Sequence, residues 1–153
     1  MGDYKGDTRF TLALHQKVYD NFVHVHRTCS KMPSEYRYTL TPNIINTATN
    51  MITEIIKFEE SQGKSHLYNL STDTKLLLDH ITCCRDLKIT AFGNKTVRTF
   101  SKRIDEILRM NNALINSEKA KAYRLAKKEK KKKEEANKVV SLNSFVINKS
   151  KAI

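Results

Sequence analysis

Apolar side chains near the start of the chain recur at steps of three and four residues. No glycine or proline interrupts the sequence from Arg9 to Lys31. Within this range the apolar positions are Phe10, Leu14, Val18, Phe22, Val25 and Cys29. This spacing places them on one face of a helix with about 3.6 residues per turn. The pattern therefore predicts a first amphipathic helix over 9–31.

A loop and a second helix follow. Pro33 lacks a backbone N–H and disfavours helical backbone in the residue before it, so 32–40 is predicted to be a loop. Thr41 before Pro42 is typical of an N-cap with proline at the first helical position. The helix should end near Glu60, with Gly63 available for a left-handed cap. Its apolar face comprises Ile44, Ala48, Met51, Ile52, Ile55 and Phe58.

Two further helices have the same periodicity. The third is predicted to run to about Lys88, and a turn containing Gly93 precedes the fourth. The apolar seam of the third helix is Leu67, Leu70, Thr74, Leu77, Ile81 and Cys84, and that of the fourth is Val97, Phe100, Ile104, Ile107, Leu108, Leu114 and Ile115. Such seams pack near-antiparallel helices. We therefore expect an all-α, up-down-up-down four-helix bundle over 9–117.

The composition changes after Ser117. Residues 119–138 contain ten Lys and Arg against three Glu, which is more than half of the net charge of +12. Alanine, lysine and glutamate favour helix, whereas like charges four residues apart oppose it. The range 118–138 is therefore predicted to be a lysine-rich extension, either partly helical or disordered. Residues 139–153 are apolar again, and we expect them to be disordered or docked on a partner.

Cysteine usage and hydropathy bear on location. Cys29, Cys83 and Cys84 are odd in number and two are adjacent, which does not fit a disulfide framework and indicates a reducing compartment. No apolar stretch reaches the length of about 18 residues that spans a bilayer. The sequence start has Gly6 where a myristoylation signal has Ser or Thr. We expect a cytoplasmic protein with no membrane among its partners.

Catalytic and metal-binding patterns are weak. His24 and His26 are two residues apart on a helix, about 200° around its axis, and cannot hold one ion. His80 and Cys84 have a suitable spacing, but no second ligand pair accompanies them. Cys29 lies on an apolar face, where we expect a buried and inert thiol. The sequence therefore predicts no enzyme, no catalytic residue, no metal site and no cofactor.

The basic residues carry most of the functional signal. Four of them lie within about 60° of arc on the fourth helix, opposite its apolar face: Lys95, Arg98, Lys102 and Arg109. This row is either a nucleic-acid surface or an ordinary solvated face, the latter helped by pairs of Glu106 with Lys102 and Arg109. Six lysines of the extension are predicted to bind phosphates as point charges, without sequence preference: Lys127, Lys128, Lys130, Lys131, Lys132 and Lys133.

Tyr36 and Tyr38 flank Arg37 in the first loop. The two rings either stack on unpaired bases or cover the end of the core, as tyrosines beside helix–helix loops commonly do.

Three motifs resemble those of a known family. They are the loop Met32-Pro33-Ser34-Glu35-Tyr36-Arg37-Tyr38-Thr39-Leu40, the tetrapeptide Arg85-Asp86-Leu87-Lys88, and Ile104-Asp105-Glu106-Ile107-Leu108-Arg109-Met110. Residues 10–115 resemble the accessory variability determinant (Avd) proteins of diversity-generating retroelements, which are related to bundle proteins encoded in 23S rRNA intervening sequences. Arg37 and Arg85 lie within the matched motifs and join the candidate nucleic-acid contacts.

The resemblance implies a non-enzymatic partner of a retroelement reverse transcriptase. Such proteins form pentameric rings and bind the reverse transcriptase and its template RNA, supporting mutagenic cDNA synthesis. Relatives tend to have an arginine where this chain has Thr82, so we expect the charge to lie on the fourth helix and the extension instead. Leu12, Tyr19 and Val23 lie outside the main seam and suit contacts in a homo-oligomer.

Two other functions remain open. One is a stand-alone RNA-binding bundle of the rRNA intervening-sequence type, without a polymerase partner. The other is an adaptor whose lysine-rich extension adheres to an anionic membrane or to the ribosome surface.

Overall fold

The chain is all-α. In a computed structural model, the described residues comprise the backbone of 3–151 and the side chains of 9–146 and 149, and they contain no β-strand. The four helices are α1 (Asp3–Cys29), α2 (Leu40–Ser61), α3 (Lys64–Asp86) and α4 (Asn94–Lys151). Short 3₁₀ turns occupy Ser34–Tyr36 and Thr90–Phe92. The four-helix bundle predicted from the periodicity is confirmed.

The chain divides into two compact units. The first unit, Met1–Ile115, contains α1, α2, α3 and the first part of α4. The second unit, Asn116–Ile153, contains the rest of α4, which is helical to Lys151. The last two residues of the predicted segment 139–153 lie outside the described residues.

The core consists of the four predicted seams. Nearly all their members are buried, whereas Phe10, Phe22, Ile52 and Leu108 are only partly buried at its edge. The loops contribute two residues that the periodicity does not predict, Ile89 and Phe92. The Phe92 ring lies against that of Phe100, with centroids 5.9 Å apart, so the turn before α4 closes one end of the core.

At least one polar contact joins each pair of neighbouring helices. In the α3–α4 contact the buried Asn111 Nδ2 donates to the Leu67 carbonyl oxygen at 2.7 Å. The other contacts are His15 Nδ1 to Glu59 Oε1 at 2.6 Å, His66 Nδ1 to Glu54 Oε2 at 2.8 Å, and Lys17 Nζ to Glu106 Oε1 at 3.1 Å. Hydrogen bonds need specific geometry, whereas apolar burial does not, so these contacts help to define the helix register.

Two expectations about the ends of α2 were wrong. The helix begins at Leu40 with Thr39 as its N-cap, so Thr41 is not the cap and Pro42 is the third helical residue. Proline is tolerated there because the first N–H groups of a helix have no intrahelical acceptor.

At the other end of α2, Gln62 takes the left-handed conformation with φ 58°. Gly63 is extended, with φ −77°, and is not the predicted left-handed cap. A Cβ at Gly63 would lie 3.3 Å from the His66 ring, so glycine here permits a close approach rather than an unusual backbone angle.

Candidate nucleic-acid interface

The four predicted basic residues of α4 form a row on its outer side. Lys95, Arg98, Lys102 and Arg109 are all exposed, whereas Val97, Phe100, Ile104 and Ile107 of the same helix are buried. Fourteen residues separate the first and last members, which corresponds to about 21 Å along the helix axis. We call these four residues the α4 row. The row is long enough for several phosphates of one strand to meet it in succession, and its role stays a prediction.

Glu106 does not have the expected partners. Its carboxylate lies 3.1 Å from Lys17 Nζ on α1, and among the described ion pairs it bonds to neither Lys102 nor Arg109. The α1 and α4 helices pack side by side, and the Glu106 side chain lies at their contact, where Lys17 of α1 can reach it. The α4 row is therefore not neutralised by Glu106 from within its own helix.

The topology brings further basic residues to one end of the bundle. Arg37 lies in the loop after α1, Arg85 is at the end of α3, and Lys95 is at the start of α4. In an up-down-up-down bundle these three positions share one end, and the turn Thr90–Phe92 contacts both α1 and α3 there. All three side chains are exposed, although Arg85 Nη2 lies 3.3 Å from Asp86 Oδ1.

The two tyrosines beside Arg37 differ. Tyr36 packs against the core, as expected of a residue that covers its end. Tyr38 is 87% exposed, so its ring is free to stack on an unpaired base next to Arg37. Covering the end of the core therefore fits Tyr36, whereas stacking on a base fits Tyr38.

On the side of α4 that faces α1, the His24 side chain of α1 is half-buried. Its ring stacks on that of Phe100, with centroids 4.1 Å apart and an interplanar angle of 13°. Its Nδ1 is buried without a hydrogen-bond partner. Burial, reinforced by the positive charges of Arg103 and Arg27, lowers the pKa of His24 below 6.5.

Acid is expected to destabilise the bundle through His24. Because the pKa of His24 is lowered on folding, the unfolded chain binds the proton first as the pH falls below about 6.5, and the free energy of unfolding decreases. Urea unfolding of the native protein and of His24→Phe, compared between pH 7.5 and pH 5, measures this loss. If the free energy of unfolding depended equally on pH in the two proteins, His24 would not be the cause of the loss in acid.

The His26 side chain is exposed and does not share the environment of His24. Its ring meets that of Phe22 edge to face at 4.5 Å. Arg27 and Arg103 are the basic residues that sequence periodicity did not select in this region. Arg27 lies three residues after His24 on α1, whereas only the packing of α1 against α4 brings Arg103 near His24.

In the second unit, the predicted lysines do not share one side of the helix. At about 100° per residue, Lys127, Lys128 and Lys131 fall within an arc of about 100°, whereas Lys130 and Lys133 point away from it. Arg124 lies within the same arc and was not predicted; with the three lysines it lines one shallow concavity. We call Arg124, Lys127, Lys128 and Lys131 the second-unit basic side. Lys132 lies just beyond its edge.

Cys29 and Cys84 are buried thiols with raised pKa values. Burial raises the pKa of Cys29 to about 11, and burial with the neighbouring thiols raises that of Cys84 to about 12, so both are protonated at neutral pH. Within residues 9–146 and 149, no three His, Cys, Asp or Glu side chains are grouped as metal ligands. In the described part of the chain no helix combines the length and apolar character needed to cross a bilayer.

The α4 row and the second-unit basic side are thus two exposed groups of lysine and arginine side chains that suit phosphate, and the exposed Asp105 lies beside the α4 row. No protein-family model matches this chain, and no curated protein sequence matches it either.

Proposed function

We propose that this chain is a non-enzymatic accessory protein of a diversity-generating retroelement, which binds the reverse transcriptase together with its template RNA and cDNA. The observation that carries the nucleic-acid part is the α4 row, whose four cationic side chains are exposed over about 21 Å of helix. The second unit adds twelve Lys and Arg against four Glu. The polymerase partner rests on the sequence resemblance over residues 10–115.

Phosphate recognition by these surfaces is electrostatic. Each cation that neutralises a phosphate releases condensed counterions, and for single strands the affinity changes with the logarithm of salt by a slope of about −0.7 per contact. Surfaces built from exposed lysines give affinity without reading bases. The protein thus holds RNA in place while base selection is left to the polymerase.

Removal of the α4 row is expected to weaken RNA binding. Converting Lys95, Arg98, Lys102 and Arg109 to glutamine should reduce affinity for a single-stranded RNA by about 100-fold at about 50 mM salt. Fluorescence anisotropy with a labelled RNA measures the loss, and the salt slope should fall by about 3. A control that removes two exposed lysines on other helices, Lys57 and Lys75, should leave the affinity nearly unchanged, whereas removal of any two members of the α4 row should not.

The same titration tests the proposal as a whole. A native protein that ignores RNA and DNA even in dilute buffer would contradict it, as would turnover of a small molecule. Co-expression with the reverse transcriptase of the same element tests the polymerase part. If the protein bound RNA but did not copurify with the reverse transcriptase, a stand-alone RNA-binding bundle would be the supported function.

Self-association is part of the proposal. Leu12 and Tyr19 are at least half exposed on the outer side of α1, and Val23 lies beside them on that face, partly buried. Exposed apolar side chains of this kind suit contact between subunits, and the resemblance implies a pentamer. Size-exclusion chromatography with light scattering at micromolar concentration should find an oligomer, and a monomer would remove this part of the proposal.

A further inference from the structure

The C-terminal part of the second unit exposes apolar side chains that neither the RNA nor the bundle accounts for. Val139, Leu142, Phe145 and Val146 are each between 57% and 64% exposed on a continuous helix. At about 100° per residue they fall within one arc of about 120°. Exposed apolar side chains grouped in this way usually mark a contact surface.

This arc is the one that carries the second-unit basic side. Arg124, Lys127, Lys128 and Lys131 lie at the same angles around the helix as the apolar residues that follow them. One side of the second unit is thus mainly basic in its first half and apolar in its second, with the exposed Glu135 between the two halves. Residues 136–151 contain no Asp or Glu, so no carboxylate repels an anionic partner there.

We propose that this side of the second unit binds the surface of an anionic lipid bilayer. Stable attachment to a membrane needs two signals, an apolar insertion and a polybasic patch, and both are present on one side of one helix. Lysines near an anionic leaflet and apolar side chains below the headgroups act additively. In this arrangement the helix lies parallel to the bilayer surface, at the level of the headgroups, and does not span the bilayer.

Two lysines favour a bilayer over an apolar groove in a protein. Lys138 and Lys149 lie inside the apolar arc, and the Lys149 ammonium is 5.4 Å from the centroid of the Phe145 ring. In a closed groove these ammonium groups would lose their water and need buried carboxylates. At a bilayer their long stems reach the headgroup phosphates while the apolar neighbours insert.

Phe145→Trp tests insertion directly, because the chain has no other tryptophan. Phosphatidylcholine vesicles with about 30% phosphatidylserine are expected to shift its emission to shorter wavelength and to protect it from a soluble quencher. The protein should bind vesicles of phosphatidylcholine alone about 100-fold more weakly, because these vesicles lack anionic headgroups. An unchanged spectrum with the anionic vesicles would overturn the proposal.

Vesicle sedimentation of the full chain separates insertion from charge. Leu142→Ser combined with Phe145→Ser should weaken binding to the anionic vesicles by at least about tenfold, with RNA affinity unchanged. The control Ser144→Asn changes a residue on the opposite side of the helix and should bind as the native protein does. If the Leu142 and Phe145 changes did not affect vesicle binding, the lysines alone would bind the vesicles. If the native protein did not bind the vesicles at all, the apolar side chains would instead contact a groove in a protein. Either result would overturn the proposed insertion.

RNA competition distinguishes this inference from the proposed function. Excess single-stranded RNA should displace the native protein from vesicles, because both ligands use the second-unit basic side. If the native protein bound the anionic vesicles but did not bind RNA, this proposal would be supported and the proposed function would fail. The proposal departs from the leading expectation, drawn from the sequence, that no membrane is among the partners. It extends the alternative left open there, an adaptor on an anionic membrane.

Discussion

Converting Lys127, Lys128 and Lys131 to glutamine is expected to weaken the binding of single-stranded RNA by about 100-fold at about 50 mM salt. The three side chains lie on one side of the second unit, so one strand meets all of them at once. Loss of three phosphate contacts should also reduce the salt slope by about 2. Anisotropy titrations over a series of salt concentrations measure both quantities.

The chain offers a control of equal charge. Lys119, Lys130 and Lys133 fall within an arc of about 60° on the opposite side of the same helix. Their conversion to glutamine changes the net charge by the same amount, and glutamine has nearly the helix propensity of lysine. We expect this control to lose less than about fivefold in affinity. Equal losses in the two variants would mean that diffuse charge, rather than one side, binds the RNA.

Phe100→Ala should lower the free energy of unfolding of the bundle by about 3–5 kcal/mol. Phe100 is fully buried, and its ring lies between those of His24 and Phe92. The alanine variant loses the transfer free energy of the ring and leaves a cavity that α1 and the turn before α4 can fill only in part. Urea unfolding followed by circular dichroism measures the change.

Asp105→Ala is the control for this substitution. Asp105 is exposed on the same helix, and such surface changes usually alter stability by less than about 0.5 kcal/mol. If Phe100→Ala unfolded at the same urea concentration as the control, the contact between α1, the turn and α4 would contribute little to the fold.

The bundle and the second unit have different physical roles. The bundle has a continuous apolar core and polar contacts between neighbouring helices, so it supplies a rigid surface for the α4 row. The second unit has no such core, since its side chains after Lys121 are exposed as far as they are described. Its exposed charge underlies both proposals, the binding of RNA and the binding of lipid headgroups.

Sequence periodicity predicted the number of helices and the composition of the core. A buried seam requires apolar side chains at steps of three and four, and that requirement is local to each helix, so it is visible without the fold. The exposure of the α4 row follows from the same rule, because residues opposite a seam face water. The charge excess of the second unit is a property of composition alone.

Helix ends and the partners of polar side chains were predicted less well. Thr41 and Gly63 have the residue types of caps, yet α2 begins at Leu40, and Gln62 takes the left-handed conformation. Glu106 was assigned to Lys102 and Arg109 within its own helix, but α1 provides Lys17. Local propensities at these positions differ by about 1 kcal/mol or less, which tertiary packing readily outweighs.

By itself, then, the sequence determined four amphipathic helices, a basic row opposite the fourth seam and a cationic extension, because each depends on residue types at fixed spacing along one helix. Only the tertiary structure decided that Arg37, Arg85 and Lys95 share one end of the bundle. It also decided that His24 stacks on Phe100 near Arg103, and that Glu106 pairs with Lys17 of α1. These arrangements depend on which helices are neighbours and at what register. Such information is spread over residues distant in the chain and is absent from any local pattern.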